Sequence, residues 1–233
     1  MLEELKGELD KHKNPKRAEH DSRYFKTEPG EYGEGRISFG IKTEIIRDLA
    51  KKYAGLPMRG VQELLSSGIS DYQSTALRVL IHKFRKADEQ DRGDIFNFYI
   101  RNIRNINNWD LVDISAPHIV GVFLEDKKKN KLYELAQSKN MWEKRIAIIS
   151  TFAFIKKDEF VDALRISEIL LNDSHDLIHK AIGWMLREIG KRNEKILEDF
   201  LKNHYSQIPR TTLRYAIEKF EEDKRKKYLR GEI

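Results

Sequence analysis

The chain has 233 residues, of which 39% are hydrophobic and 35% charged, and its formal net charge is +6. The absence of cysteine excludes disulfides, thiolate metal sites and a cysteine nucleophile. The longest apolar run, residues 146–155, is too short to span a bilayer, and residues 1–17 are too charged to resemble a signal peptide, so a cytoplasmic location is expected. The mild basic excess is compatible with a polyanionic partner without requiring one.

The N-terminal part, residues 1–55, is predicted to form irregular helices. Residues 28–35 form a Gly-rich loop that carries three glutamates. The loop lacks the glycine order and the preceding strand of a dinucleotide-binding motif, and its acids would repel phosphate. A turn between helices is the favoured interpretation.

Long helices are predicted further along, because apolar residues recur at spacings of three and four and alternation is nearly absent. Asp71 begins a helix that reaches Phe84, and other helices cover residues 131–138 and 160–171. Ser174 is predicted to precede a helix, and Pro209 to begin one that reaches Phe220.

These helices repeat. Buried-type pairs occur at similar points of successive long helices, roughly 35 residues apart once one weaker unit near residue 113 is counted: Ala76-Leu77, Ala147-Ile148, Ala181-Ile182 and Ala216-Ile217. The period predicts an all-α fold, an α-α superhelix (solenoid) of HEAT-like helix pairs, over a four-helix bundle. An ordinary irregular helical domain stays open as an alternative. No linker divides the chain, so residues 1–233 are predicted to form a single domain.

All three tryptophans lie in helical segments that also carry charge: residues 107–113 (Asn-Asn-Trp-Asp-Leu-Val-Asp), 141–145 and 183–187. Trp109 and Asp113 are four residues apart and therefore lie on one face of a helix. An indole beside a carboxylate suits the binding of a cationic group. The alternative for any tryptophan in such a helix is a core position, which the neighbouring isoleucines favour for Trp142.

The other charged positions also have structural alternatives. Asp113 could pair with a neighbouring arginine, and Arg145 or Arg187 could bind buried carbonyls or acids between repeats. His175 and His179 share a helical face but lack a third metal ligand, so no metal site is predicted. The basic runs at 127–131 and 224–227 could contact phosphate or simply complement helix ends.

Several segments in chain order together resemble the AlkD-type DNA alkylation repair proteins, HEAT-like-repeat DNA glycosylases. They begin with residues 14–15, 23–26 (Arg-Tyr-Phe-Lys) and 39–41. Residues 107–113, 142–145, 180–188 and 209–216 follow. The resemblance implies a right-handed solenoid whose concave face binds duplex DNA, and release of cationic alkylated purines such as 7-methylguanine and 3-methyladenine without a cofactor.

The resemblance also implies roles for individual residues. The catalytic aspartate of the family matches Asp113, and two tryptophans that flank the lesion match Trp109 and Trp184. Arg145 matches an arginine that binds the DNA backbone, and Tyr24 an aromatic near the DNA. Further DNA contacts are expected from Lys42, Arg187, Arg210 and Arg214, the last two one turn apart on the last helix.

Two departures from the family pattern concern DNA contacts and substrate range. Lys42 stands where a polar amide is expected, and residues 71–73 (Asp-Tyr-Gln) replace a pattern of His, Glu, an aromatic residue and Arg. A monomeric glycosylase is the function predicted. The alternatives are a HEAT-like module that binds nucleic acid without catalysis and a protein-interaction scaffold, and fold alone favours none of the three.

Overall fold

The computed structural model describes residues 1–232, which are helical with no strand; one isolated bridge joins Ile37 and Ile69. The chain packs as two compact units, Met1–Ser115 and the residues from Ala116 onward. No helix among the described residues is long and apolar enough to cross a membrane. The all-α prediction is confirmed, whereas the single domain stays a prediction.

The first unit contains a 3₁₀ turn, Ile103–Asn105, and seven α-helices: α1 Leu2–Asp10, α2 Pro15–Tyr24, α3 Thr43–Lys52, α4 Met58–Leu65, α5 Ser70–Lys86, α6 Glu89–Arg101 and α7 Trp109–Ala116. Two of these helices, α2 and α6, begin at side-chain caps. The Asn14 side chain accepts from the Arg17 N–H while Pro15 occupies the first helical position. Asp88 caps α6 in the same way. The Gly-rich residues 28–35 form turns, as predicted.

Helix α5 is the centre of the first unit, and both α3 and α4 pack against it. It extends the predicted helix by a residue or two at each end. Asp71, 4% exposed at its first turn, accepts hydrogen bonds from the N–H groups of Phe39 (2.7 Å) and Ile41 (2.9 Å). These bonds fix residues 38–41, which otherwise have no repeating structure, against the start of α5.

The two other unusual residues of this turn also bind inside the first unit. The Tyr72 hydroxyl donates to Asp10 of α1 at 2.6 Å. The Gln73 amide donates to the carbonyl oxygen of Leu65, the last residue of α4, at 3.4 Å. It also donates, at 3.2 Å, to that of Asn105 in the 3₁₀ turn that precedes α7. Asp71, Tyr72 and Gln73 therefore connect α5 to the chain on either side of it.

The second unit begins with a π-helical turn, Pro117–Gly121, and contains nine α-helices: α8 Val122–Leu124, α9 Asn130–Ala136, α10 Met141–Ser150, α11 Phe152–Ile155, α12 Val161–Leu170, α13 Asp176–Gly190, α14 Glu194–His204, α15 Arg210–Ala216 and α16 Glu222–Arg230. The alanine–isoleucine pairs of α10 and α13 and the pair at the end of α15 are at most 1% exposed, as is the alanine–leucine pair of α5. The positions that carry the sequence repeat are thus core positions. Helix α10 packs on α13, and α13 on α15.

Helices α13 and α15 approach closely at Gly183. A Cβ on Gly183 would lie 2.5 Å from the Tyr215 Cβ and 2.7 Å from the Thr212 carbonyl oxygen. Any larger residue would push the two helices apart, so this glycine fixes the spacing of the helix that carries Trp184.

Two helix predictions need correction in the second unit. His175, not Ser174, caps α13: its Nδ1 accepts from the Leu177 N–H. The helix after Pro209 ends at Ala216 and not at Phe220. It is also not the last helix, because the Glu221 carboxylate caps α16 through the N–H groups of Asp223 and Lys224. Residues 217–220 therefore belong to the connection between two helices and do not continue the first one.

Candidate active site

The start of α7 presents an indole and a carboxylate one turn apart. The Asn108 carbonyl accepts the first helical bond from Val112, and its side-chain Oδ1 accepts from the Trp109 N–H at 2.8 Å. This cap fixes where the helix begins and therefore which residues share a face. Trp109 and Asp113 are both half-buried.

Trp109 belongs to a cluster of aromatic rings from α2 and the residue that follows it. The Phe25 ring stacks on the indole at 5.1 Å and 27°, and the Tyr24 ring meets it edge-on at 5.8 Å. Tyr24 and Phe25 also make an edge contact at 5.1 Å, and His20 stacks on Tyr24. Tyr24 is 59% exposed, so the cluster continues to the surface.

An ion pair lies beside this cluster. The Arg36 guanidinium binds both oxygens of Asp110, at 2.8 and 2.7 Å, and the side chains are only 10% and 25% exposed. The guanidinium also lies 4.1 Å from the centre of the Phe25 ring. Arg36, Phe25 and Trp109 therefore form one continuous stack, which holds the indole from the side of α2.

The chain reaches this stack through a tight turn after α2. Lys26 has a φ of 51°, and its carbonyl accepts from the Gly33 N–H at 3.0 Å. A Cβ on Gly33 would lie 2.2 Å from the Phe25 carbonyl oxygen. Only glycine fits there, so the turn that carries Phe25 and leads to Arg36 depends on Gly33.

Asp113 lies near the buried Tyr99. The Tyr99 hydroxyl is 2.9 Å from the Ser115 Oγ, and the side chain is fully buried. Burial raises the pKa of Tyr99 far above its usual range, and the negative charge of Asp113 adds to that effect. A neutral, buried phenol thus backs the Asp113 side of α7. The start of α7 therefore places a half-buried carboxylate and a half-buried indole on one helical face, a combination suited to a cationic group.

The second unit holds Trp184 on α13. Its indole Nε1 donates to Glu188 on the same helix at 3.2 Å, and its ring lies 6.0 Å from Phe152 at a tilt of 43°. Trp184 is half-buried. Trp142, in contrast, is 8% exposed, which confirms the predicted core position.

Two predicted DNA-binding arginines of the second unit bind protein groups. Arg145 is 5% exposed, and its Nη1 donates to the Leu177 carbonyl at 2.5 Å. Arg187 binds the Glu218 carboxylate through Nη1. These contacts are of the kind that the structural alternative predicted, and the DNA-binding roles of both residues stay predictions.

The remaining predicted contacts lie on the surface. Lys42 and Arg214 are exposed, and neither side chain has a hydrogen bond or ion pair with residues 1–232. Arg210 is exposed and donates to the Leu229 carbonyl of α16 at 3.0 Å. In the histidine pair, His175 caps α13, and the His179 ring bonds the Asp173 carbonyl.

Three important residues of this site were missed from the sequence. Phe25 lies beside Tyr24 in a segment that was singled out, so its aromatic character was a usable signal. Asp110 lies between the two residues assigned, but its charge alone did not reveal that it is paired. Arg36 had no local signal, since its partner is 74 residues away.

Two comparisons with known proteins found a match. A family model described as DNA alkylation repair enzyme matches residues 5–220. The fold is similar to a solved structure described as a predicted DNA alkylation repair enzyme from Enterococcus faecalis, with a TM-score of 0.69 and 17% identity over 91% of this chain and 98% of that one. That likeness confirms the predicted fold class, an all-α fold of the α-α superhelix type. No protein of curated function matches significantly.

Proposed function

Because the chain belongs to the DNA alkylation repair enzyme family, we propose that it is a monofunctional DNA glycosylase. A role in the repair of alkylated DNA follows from family membership. The proposed reaction is hydrolysis of the N-glycosidic bond of cationic alkylated purines, such as 7-methylguanine and 3-methyladenine, in duplex DNA.

The observation that carries this proposal is the placement of Trp109 and Asp113 one turn apart at the start of α7, where both are half-buried. Asp110 is bound by both nitrogens of the Arg36 guanidinium fork, so its charge is compensated inside the protein. Asp113, one turn after Trp109, is half-buried and lies on the side of the indole. Asp113, which shares a helical face with Trp109, is the acid proposed to act on substrate.

The main catalytic requirement of this reaction is a negative charge held close to the sugar of the damaged nucleotide. Alkylation at N7 or N3 makes the purine cationic, so the base leaves as a neutral molecule and needs no general acid. When the N-glycosidic bond breaks, its electron pair goes to the base and positive charge develops on the deoxyribose. A carboxylate about 4 Å away stabilises that charge by roughly 4 kcal/mol at an effective dielectric of about 20.

Asp113 also has a role in the attack of water. The water oxygen bonds to the sugar carbon that the base leaves, and its proton passes to the carboxylate, as in other sugar hydrolyses. The Trp109 ring adds a cation–π attraction of about 0.5–2 kcal/mol toward the cationic nucleotide. The family resemblance adds further contacts to the proposal. Trp184 would be a second aromatic contact, and Arg145 would bind a phosphate. The remaining proposed DNA contacts are Tyr24, Lys42, Arg187, Arg210 and Arg214.

Base release from methylated duplex DNA tests the proposal. We expect wild-type protein to release 7-methylguanine above the spontaneous rate, and Asp113→Asn to lower that rate about 100-fold or more at equal DNA occupancy. Asp94→Asn is the matched control, because it changes the net charge equally at an exposed acid in the same unit. It should behave as wild type.

Three results would contradict the proposal. Equal rates for wild type and Asp113→Asn would remove Asp113 from the chemistry. DNA binding that weakens with salt but releases no base would favour the binding module without catalysis, and no DNA binding at all would favour a protein-interaction scaffold.

A further inference from the structure

Arg78 lies on the face of α5 that borders the candidate site. Residues 71, 74 and 78 follow one another along this face at helical spacing. Asp71 and Ser74 line a cavity of about 110 Å³ together with Arg36 and Asp110. Arg78 lies one turn further along the same face of α5. This is the face that borders Asp110 and the stack beside Trp109.

The guanidinium of Arg78 is partly buried without an acceptor. Its Nε is inaccessible to solvent and has no hydrogen-bond partner, and its side chain forms no ion pair with residues 1–232. The Nε atoms of Arg36 and Arg187 are also buried without a partner, but the terminal nitrogens of those guanidinium groups bind Asp110 and Glu218. Arg145 likewise binds a carbonyl through a terminal nitrogen, whereas no atom of the Arg78 guanidinium has a partner within residues 1–232. A desolvated donor without a partner is costly, and such exceptions call for an explanation.

A second cation lies near Arg78. Burial lowers the pKa of Arg78, the positive charge of Arg47 lowers it further, and the negative charge of Asp110 opposes both. Arg47 is exposed on α3, which packs against α5. Arg47 has only a long, solvent-exposed ion pair with Asp48, at 3.9 Å, and the charge of Asp110 is compensated by Arg36. The two neighbouring cations therefore form a site that an anion would stabilise.

We propose that Arg78, assisted by Arg47, binds a backbone phosphate of the DNA strand next to the nucleotide at Asp113. The planar guanidinium fork matches the oxygens of a phosphodiester and stays charged even when partly buried. Bound phosphate would supply the acceptor that the protein does not. This inference rests on the proposed function for its DNA ligand, but not on catalysis by Asp113.

The test compares Arg78→Met with wild type, on a short duplex that carries one tetrahydrofuran abasic site. We expect the dissociation constant to rise about tenfold at moderate salt. The slope of log affinity against log salt should become shallower by about 0.9, the value for one phosphate contact. Arg78→Lys keeps the charge but loses the fork, so its slope should stay near that of wild type while its affinity falls.

Thermal unfolding of the protein without DNA separates binding from a structural role. Methionine keeps most of the length of the arginine but removes the unpartnered donor, so the melting temperature of Arg78→Met should equal or exceed that of wild type. An arginine kept for stability would give a lower melting temperature. That result would overturn the proposal.

Arg59→Met is the matched control for charge. Arg59 is exposed on α4 of the same unit and makes no hydrogen bond or ion pair with the residues described. If Arg59→Met reduced the salt slope as much as Arg78→Met, general electrostatics would explain the effect and the site would be refuted.

Base release by wild type, measured in the same series, keeps the two proposals apart. If the salt slope of Arg78→Met were unchanged while wild type released base, the proposed phosphate site would be refuted and the proposed glycosylase activity supported. A reduced slope without base release would retain the site and remove the glycosylase.

Discussion

Trp109 and Trp184 carry the same proposed kind of contact, but the protein holds them differently. Trp109 is stacked on Phe25 and touched at its edge by Tyr24, and an ion pair closes the stack. Trp184 has one hydrogen bond to its own helix, through Glu188, and one tilted neighbour ring, Phe152. The first indole is fixed by tertiary contacts, the second mainly by its helix.

The position of Trp109 therefore depends on residues far away in the sequence. The turn at residues 26–36 must fold before Phe25 and Arg36 can hold the indole. The position of Trp184 depends instead on the spacing of α13 and α15, which Gly183 sets. We therefore expect substitutions around Trp109 to cost more stability than those around Trp184.

The largest expected effect is that of Asp110→Ala. It leaves the Arg36 guanidinium, 10% exposed as a side chain, without its carboxylate. We expect the free energy of unfolding to fall by about 3 kcal/mol, since the cost of a desolvated unpaired charge exceeds that of the pair. Urea denaturation followed by circular dichroism measures it.

The double variant Arg36→Met/Asp110→Ala is the control for that substitution. Replacing both charges removes the unpaired guanidinium, so most of the lost stability should return. If the double variant were as unstable as the sum of the two single changes, the pair would not act as a unit and the comparison between the tryptophans would fail.

A medium effect is expected from Phe25→Leu, which removes the ring between Arg36 and Trp109. Stacked rings stabilise each other by about 1 kcal/mol beyond the area they bury. A double-mutant cycle with Trp109→Leu should give a coupling free energy of that size. A coupling near zero would mean that the two rings are neighbours without fixing one another.

The smallest effect is expected from Glu188→Gln beside Trp184. The amide oxygen of glutamine can still accept from the indole Nε1, and the losses are the ion pair with the exposed Lys191 and a long one, 3.8 Å, with Arg187, which keeps its bond to Glu218. The free energy of unfolding should change by less than about 0.5 kcal/mol. A loss as large as that for Asp110→Ala would show that both tryptophans are held alike.

The fold was largely predictable because it rests on local patterns. The pair Ala181-Ile182 and its equivalents gave the repeat, and all of them are buried. Boundaries were less predictable because they depend on side-chain hydrogen bonds. His175 caps α13 with a ring nitrogen, and Glu221 begins a new helix where the apolar run had suggested a longer one.

The site was only partly predictable. The spacing of Trp109 and Asp113 placed them one turn apart, which is a local property of a helix. The pairing of Asp110 with Arg36 could not be found, because long-range ion pairs leave no periodic trace in a single sequence. The same limit applies to Arg78, whose unusual environment exists only once α3, α5 and α7 are together.

The hydrogen bonds of Asp71 have a consequence for motion. Residues 38–41 lack repeating structure, and an irregular segment of this kind would ordinarily open independently of the helices. Here two of its N–H groups end on a carboxylate that belongs to α5. We therefore expect the segment and the first turn of α5 to open together, and the amides of Phe39 and Ile41 to exchange their protons more slowly than those of irregular segments without such bonds.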